Sequence, residues 1–122
     1  MLINLYKDSK EPIYLQIANQ IKKEIMNKNL KADDLLPSIR ALATDLKVSV
    51  ITTKRAYMEL ETQGFIQTVA GKGTYVTNKT VNVIEDEYFK SIEKSIENIY
   101  KCADALGISK EDIIKMFEKR RK

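Results

Sequence analysis

"LPSIRALATDLKVSVITTKRAYMELETQGFI", residues 36–66, carries two short amphipathic patterns separated by a polar joint. Pro37 and Ser38 open the first. The Ser38 hydroxyl can accept from a backbone N–H one turn on. Ile39, Leu42, Ala43 and Leu46 then fall on one face at helical spacing. Lys47 and Val48 form the joint. Ser49 caps a second helix running to about Gln63, with Thr53, Ala56, Tyr57 and Leu60 turned inward. Gly64 stands where a helix ends in a left-handed residue.

The flanks extend this pair. Residues 1 to 11 read as a short polar lead-in. Pro12 suits the first turn of a helix, where its missing N–H costs little. Ile13, Ile17, Ile21 and Ile25 recur every four residues, with Tyr14 and Ala18 beside them, giving an amphipathic helix over roughly 12 to 28. "NKNLKADD" ends it with turn formers. Beyond Gly64, Phe65–Val69 and Thr74–Thr77 are β-rich, and "AGKG" between them reads as a hairpin tip. Three helices followed by a hairpin, with so short a joint between the second and third, give a winged helix-turn-helix. The glycines at the tip lie between strands and no helix follows, so this is not a nucleotide loop.

After Asn78 the pattern changes. Ile84, Tyr88, Ile92, Ile96, Ile99, Ala103 and Leu106 keep helical spacing, with Glu and Lys on the other face. Gly107 ends this helix. Ser109 starts another, with Asp112 as a capping-box-like acid and Ile113, Ile114 and Phe117 on its apolar side. The closing "KRRK" has two readings, a phosphate contact or a disordered basic end, and the second is preferred. The expected class is α+β, in two parts: a winged helix-turn-helix over residues 1–77 and a helical dimerisation tail over 78–122.

Composition narrows the chemistry. The 122 residues carry a formal charge of +4, which suits nucleic acid without demanding it. Residues 1–77 hold 11 basic against 8 acidic side chains; the remainder holds 10 against 9. Histidine is absent and Cys102 is the single cysteine. Within one chain this excludes zinc sites built from Cys and His, and nucleophile systems that need a histidine. Cys102 reads as a small buried apolar residue. No metal, cofactor or enzymatic activity is expected. The absence of a signal peptide, a membrane span and a disulfide framework fits a cytoplasmic protein.

"PIYLQIANQIKKEI", "LPSIRALATDLKVS", "ITTKRAYMELETQGFI" and "GKGTYV", in that order, resemble the GntR family of bacterial transcription regulators. The resemblance covers about residues 11 to 77. The short tail resembles the YtrA-type subfamily, whose members lack a large effector domain and dimerise through two helices. Other relatives add a long aminotransferase-like domain; the expectation here, for 122 residues, is the short-tailed type. The resemblance implies a repressor, control of a neighbouring transporter operon, commonly ABC-type, and DNA contacts at Arg40, Thr52, Lys54, Gly71 and Lys72. Where many members place an arginine or a polar residue, this chain has Val50 and Ile51, so a guanine-reading arginine of some relatives is missing.

The residues themselves support the same surface. A recognition helix shows its first turns to base edges, here Val50, Ile51, Thr52, Lys54 and Arg55. Val50 and Ile51 cannot hydrogen-bond, and two readings stand: packing on thymine methyl groups, or Ile51 tucked against the preceding helix. Lys54 and Arg55 suit phosphate, and Thr52 either phosphate or a base. Arg40 could grip a phosphate or a guanine, or pair with a nearby acid. Ser38 and Ser49 could serve phosphate or act simply as caps. Gly71, Lys72 and Thr74 complete the set at the wing. The stripe of Ile84, Tyr88, Ile92, Ile96, Ile99, Ala103 and Leu106, with Ile113 and Phe117, must be covered, and a homodimer covers it best. Two winged units on a two-fold axis would read a palindromic operator in double-stranded DNA. Whether an effector ligand exists is open. The alternative is a winged helix used as a protein-interaction module without specific DNA binding.

Overall fold

The computed structural model describes residues 1–78 and 80–120. The elements run α1 (Ile13–Met26), α2 (Ile39–Leu46), α3 (Val50–Thr62), β1 (Ile66–Val69), β2 (Gly73–Val76), α4 (Thr80–Leu106) and α5 (Lys110–Arg120). The fold is a winged helix-turn-helix followed by two helices. The chain forms two compact units, Met1–Ile84 and Glu85–Lys122.

In the first unit, α1 and α2 both pack on α3. Ile17, Ile21 and Ile25 of α1, Leu60 of α3, Phe65 and Val76 are fully buried. Each such side chain contributes about 1.5–3 kcal/mol relative to exposure. The α1 face therefore follows its four-residue spacing, and Thr53, Ala56, Tyr57 and Leu60 form the buried face of α3. Gly64 adopts φ +85°. The Phe65 N–H reaches back to the Leu60 carbonyl at 3.0 Å, closing α3 and dropping Phe65 into the core.

The joint between α2 and α3 has the same logic without glycine. Lys47 takes φ +57°, and the Val48 N–H bonds the Ala43 carbonyl at 3.0 Å. Val48 packs on the core. Ser38 Oγ accepts from the Ala41 N–H and Ser49 Oγ from the Thr52 N–H, both at 3.0 Å, so each helix of the pair begins on a serine cap.

Two segments carry more structure than their composition suggested. The first six residues are not merely a polar lead-in. Ile3 is buried, and the Gln16 and Gln20 side chains act as a strand partner. Gln20 Oε1 accepts from the Asn4 N–H (2.9 Å) and Gln20 Nε2 donates to the Asn4 carbonyl (2.6 Å). Gln16 does the same for Tyr6, at 2.8 and 2.9 Å. The match is geometric: two extended residues advance about 6.6 Å and one helical turn of four residues about 6 Å.

The turn segment before α2 adds a third strand-like edge to the hairpin. Leu35 bridges Tyr75. The Asp33 N–H donates to the Val76 carbonyl at 2.9 Å, and the Leu36 N–H to the Thr74 carbonyl at 2.8 Å. β1 and β2 are antiparallel, with Thr68 opposite Thr74 and Val69 opposite Gly73. Gly73, expected in the tip, starts β2 instead. It adopts φ +122°, and a Cβ there would meet Leu35 at 3.1 Å, so both backbone and space demand glycine.

α4 begins at Thr80, earlier than the apolar stripe suggested, and Gly107 closes it at φ +68°. Ser109 Oγ accepts from the Asp112 N–H at 3.2 Å, capping α5. Cys102 is exposed, which corrects the reading of it as buried. The small residue turned inward is its neighbour Ala103. Lys119 and Arg120 belong to α5 rather than to a disordered end; residues 121 and 122 of "KRRK" lie outside the described residues. Among the described residues, no helix is long and apolar enough to cross a membrane.

Candidate nucleic-acid interface

Outside its buried row, α3 carries Val50, Ile51, Lys54, Arg55 and Met58, all exposed. Ile51 is 80% exposed, so it does not tuck against α2; Val50 is 42% exposed. The surface therefore combines two apolar side chains on the first turn with two cations on the next.

Thr52 is oriented by the cap. Ser49 Oγ donates to Thr52 Oγ1 at 2.8 Å while accepting from the Thr52 N–H. The Thr52 hydroxyl is thereby an acceptor within the protein, and its own proton is directed elsewhere, available to a phosphate or base acceptor. Ser38 Oγ is likewise used as an acceptor by the Ala41 N–H. Both serines are caps first; a donor proton on Ser38 is what remains for an external group.

Arg55 is engaged within the protein. Its guanidinium stacks on the Tyr14 ring, 3.9 Å from the centroid, and Nη2 approaches Tyr14 Oη at 3.4 Å. Such a stack holds the fork against an aromatic face while leaving other N–H groups free to bond. Sequence reasoning named Tyr14 only as a helix-face residue; its link to Arg55 spans 41 positions, and no local pattern signals it. Arg40, Lys54 and Lys72 are exposed, and none makes a side-chain hydrogen bond among the described residues.

The wing tip is built on Gly71, at φ +77°. The Lys72 N–H closes the turn onto the Val69 carbonyl at 3.0 Å. Tyr75 Oη donates to the Lys72 carbonyl at 3.0 Å and braces the tip from the strand, a role the sequence reading did not assign. Thr74 Oγ1 faces Thr68 Oγ1 at 3.3 Å across the hairpin.

α3 is fixed from behind by Tyr57. Its hydroxyl donates to the Pro37 carbonyl at 2.6 Å, tying the buried face of α3 to the residue before the α2 cap. Burial pushes this hydroxyl up to about 12 from its ordinary 10.

Along α4 and α5, most of the large apolar residues stay open to solvent. Tyr88, Phe89, Ile92, Ile96, Tyr100 and Leu106 on α4, and Ile114, Met116 and Phe117 on α5, are exposed. Ile84, Ile99 and Ile113 are partly covered, and Ala103 alone of the expected stripe is buried. Phe89 and Tyr100 widen the stripe beyond the seven positions read from spacing. Among the described residues, no group of three or more Cys, Asp or Glu side chains is placed to hold a metal ion.

The architecture matches known regulators. Residues 13–76 match the model of "Bacterial regulatory proteins, gntR family". This chain belongs to the gntR family. It is a winged helix-turn-helix transcription regulator of the YtrA type. It is 31% identical to the HTH-type transcriptional repressor YtrA of Bacillus subtilis, over 92% of this chain and 86% of that protein. The crystal structure of a transcriptional regulator from Oenococcus oeni superimposes with a TM-score of 0.84 at 32% identity, covering 97% of this chain and 98% of that one. The AraR DNA-binding domain, solved in complex with operator, matches 63% of this chain and 93% of its own, with a TM-score of 0.54 at 27% identity. The gntR match falls within the first compact unit, the one that carries the α3 face and the wing.

Proposed function

We propose that this gntR-family regulator is a repressor that binds a palindromic operator as a homodimer. Its α3 enters the major groove and its wing reaches the adjoining backbone. Residues 1–77 read DNA and residues 78–122 dimerise. The observation that carries the reading is the outward face of α3. Lys54 and Arg55 are exposed there, Arg40 and Lys72 are exposed elsewhere in the same unit, and Thr52 is left with a proton to donate. A surface of cations over helix and hairpin, with hydrogen-bonding groups at the helix start, suits a phosphate backbone.

Within this reading, Arg40, Lys54, Arg55 and Lys72 neutralise phosphates, Gly71 lets the wing backbone approach closely, and Ser38, Ser49, Val50, Thr52 and Thr74 lie at or behind the contacting surface. The homodimer is supported by the open stripe on α4 and α5, since an apolar face of that extent is normally covered. Two copies related by a two-fold axis would meet half-sites about one helical turn of DNA apart, or a multiple of it. The likeness to the repressor YtrA supports repression, and a neighbouring transporter operon is the proposed target.

A binding titration tests this. The upstream region of the protein's own operon is compared with random DNA of equal length at low and near-physiological salt. Tight, sequence-selective binding that persists at physiological salt is expected. Equal binding to both DNAs that collapses with salt would refute the operator reading.

A further inference from the structure

We infer that Val50 and Ile51 form an apolar reader for thymine C5-methyl groups, so that each operator half-site carries thymine at the base steps facing the first turn of α3. This deepens the proposed operator reading and rests on it.

The argument begins with a residue that is out of place. An isoleucine four-fifths exposed on the first turn of α3 gains nothing from the fold. The core positions of this helix are already filled by Thr53, Ala56, Tyr57 and Leu60. Val50, beside it, is 42% exposed. Neither side chain can donate or accept a hydrogen bond, so neither can read guanine, cytosine or the polar edge of adenine. The one apolar group on the floor of the major groove is the thymine methyl.

The surroundings select DNA over an apolar protein partner. Ile51 is followed one turn on by Lys54 and Arg55, the positions three and four residues away that share its side of a helix. Thr52 next to it accepts from Ser49 Oγ and so keeps its own hydroxyl proton to donate. An apolar spot ringed by cations and a donor complements a groove whose walls are phosphate and whose floor carries methyls. It does not complement an apolar protein surface, which would strand Lys54 and Arg55 without counter-charge.

The test deletes the methyl rather than the protein. Sites are selected from a random duplex library with the full-length protein. The best duplex is then remade with deoxyuridine replacing each thymine in turn, which removes the C5-methyl and keeps the pairing. With the unaltered protein, deoxyuridine should weaken binding about fourfold at one or two positions per half-site, as expected for one buried methyl group. Other thymines should change little. With Ile51→Ala, and separately Val50→Ala, the same substitution should lose its effect at the position each residue covers, while deoxyuridine at other positions acts as it does with the unaltered protein. That coupling separates methyl contact from any change in duplex stiffness, which would persist in the variants.

Selection that yields a defined site insensitive to deoxyuridine everywhere overturns the methyl reading and leaves the operator reading standing. So does a deoxyuridine effect of equal size in both variants. Selection that enriches nothing overturns both.

Discussion

Tyr57→Phe removes one oxygen atom and should invert the stability order of two proteins with pH. Tyr57 is 3% exposed, and its hydroxyl donates to the Pro37 carbonyl at 2.6 Å. At neutral pH the phenylalanine variant loses this bond and leaves that carbonyl without its donor, at a cost of about 1–2 kcal/mol. The unaltered protein, however, holds a hydroxyl whose pKa is raised to about 12. Below pH 10 the folded and unfolded chains both keep the proton, so the group adds no pH dependence. Above 10 the unfolded chain releases it and the folded chain does not. Stability then falls by about 1.4 kcal/mol per pH unit until the folded group also titrates, about 2.7 kcal/mol in all. Phenylalanine has nothing to titrate. The two stability curves should therefore cross near about pH 11. Urea unfolding followed by far-UV circular dichroism, from about pH 8 to about pH 11.5 at matched protein concentration, measures the gap directly. A gap that stays constant across that range would show that Tyr57 is not held protonated by burial. No gap at neutral pH would show that the bond to Pro37 does not tie α3 to the start of α2.

Three further substitutions test the surface and the tail. Arg40→Ala should weaken operator binding about tenfold per half-site with an unchanged melting temperature; the salt slope of the dimer should fall by about two, and unchanged affinity in a gel shift would remove Arg40 from the interface. Tyr14→Leu should lower operator affinity about threefold by freeing Arg55 from its stack, whereas Tyr14→Phe keeps the ring and most of the binding; equal losses in both would assign the effect to the hydroxyl instead. Ile96→Asp places a carboxylate in the exposed stripe of α4 and should halve the mass seen by light scattering at micromolar concentration; a dimer of unaltered mass would show that the stripe is not the interface.

The parts legible in the sequence were those written in local code. Ser38 and Ser49 announce helix starts, Gly64 announces a stop, and the four-residue spacing of Ile13, Ile17, Ile21 and Ile25 fixes which face of α1 is buried. Each depends on atoms within about one turn of the residue concerned, so a linear reading suffices. What escaped that reading depends on partners far along the chain. Gln16 and Gln20 look like ordinary polar positions on a helix; only when α1 is built do their amides fall at the spacing of an extended strand and hold Asn4 and Tyr6. Leu35 sits in a string of turn formers and shows its role only against Tyr75 and Gly73.

The α3 surface lies between these cases. For Ile51, burial against α2 and exposure to a groove predict the same residue type. Its exposure decides between them. Arg55 shows the converse limit. Its charge marked it as a phosphate ligand, but the stack on Tyr14 decides where its guanidinium is held. An arginine pinned to α1 forfeits less side-chain freedom on meeting DNA than one swinging free on α3, because the fork is already placed. On this surface the first turn of α3 is apolar and the second cationic, so base reading and phosphate binding fall to different residues. Loss of Ile51 should therefore reduce the preference for one sequence over another, and loss of Tyr14 or Arg55 the affinity for all of them. Measuring both quantities for each variant, on the selected site and on random DNA, separates the two roles, and a variant at Ile51 that weakened both DNAs equally would contradict the division.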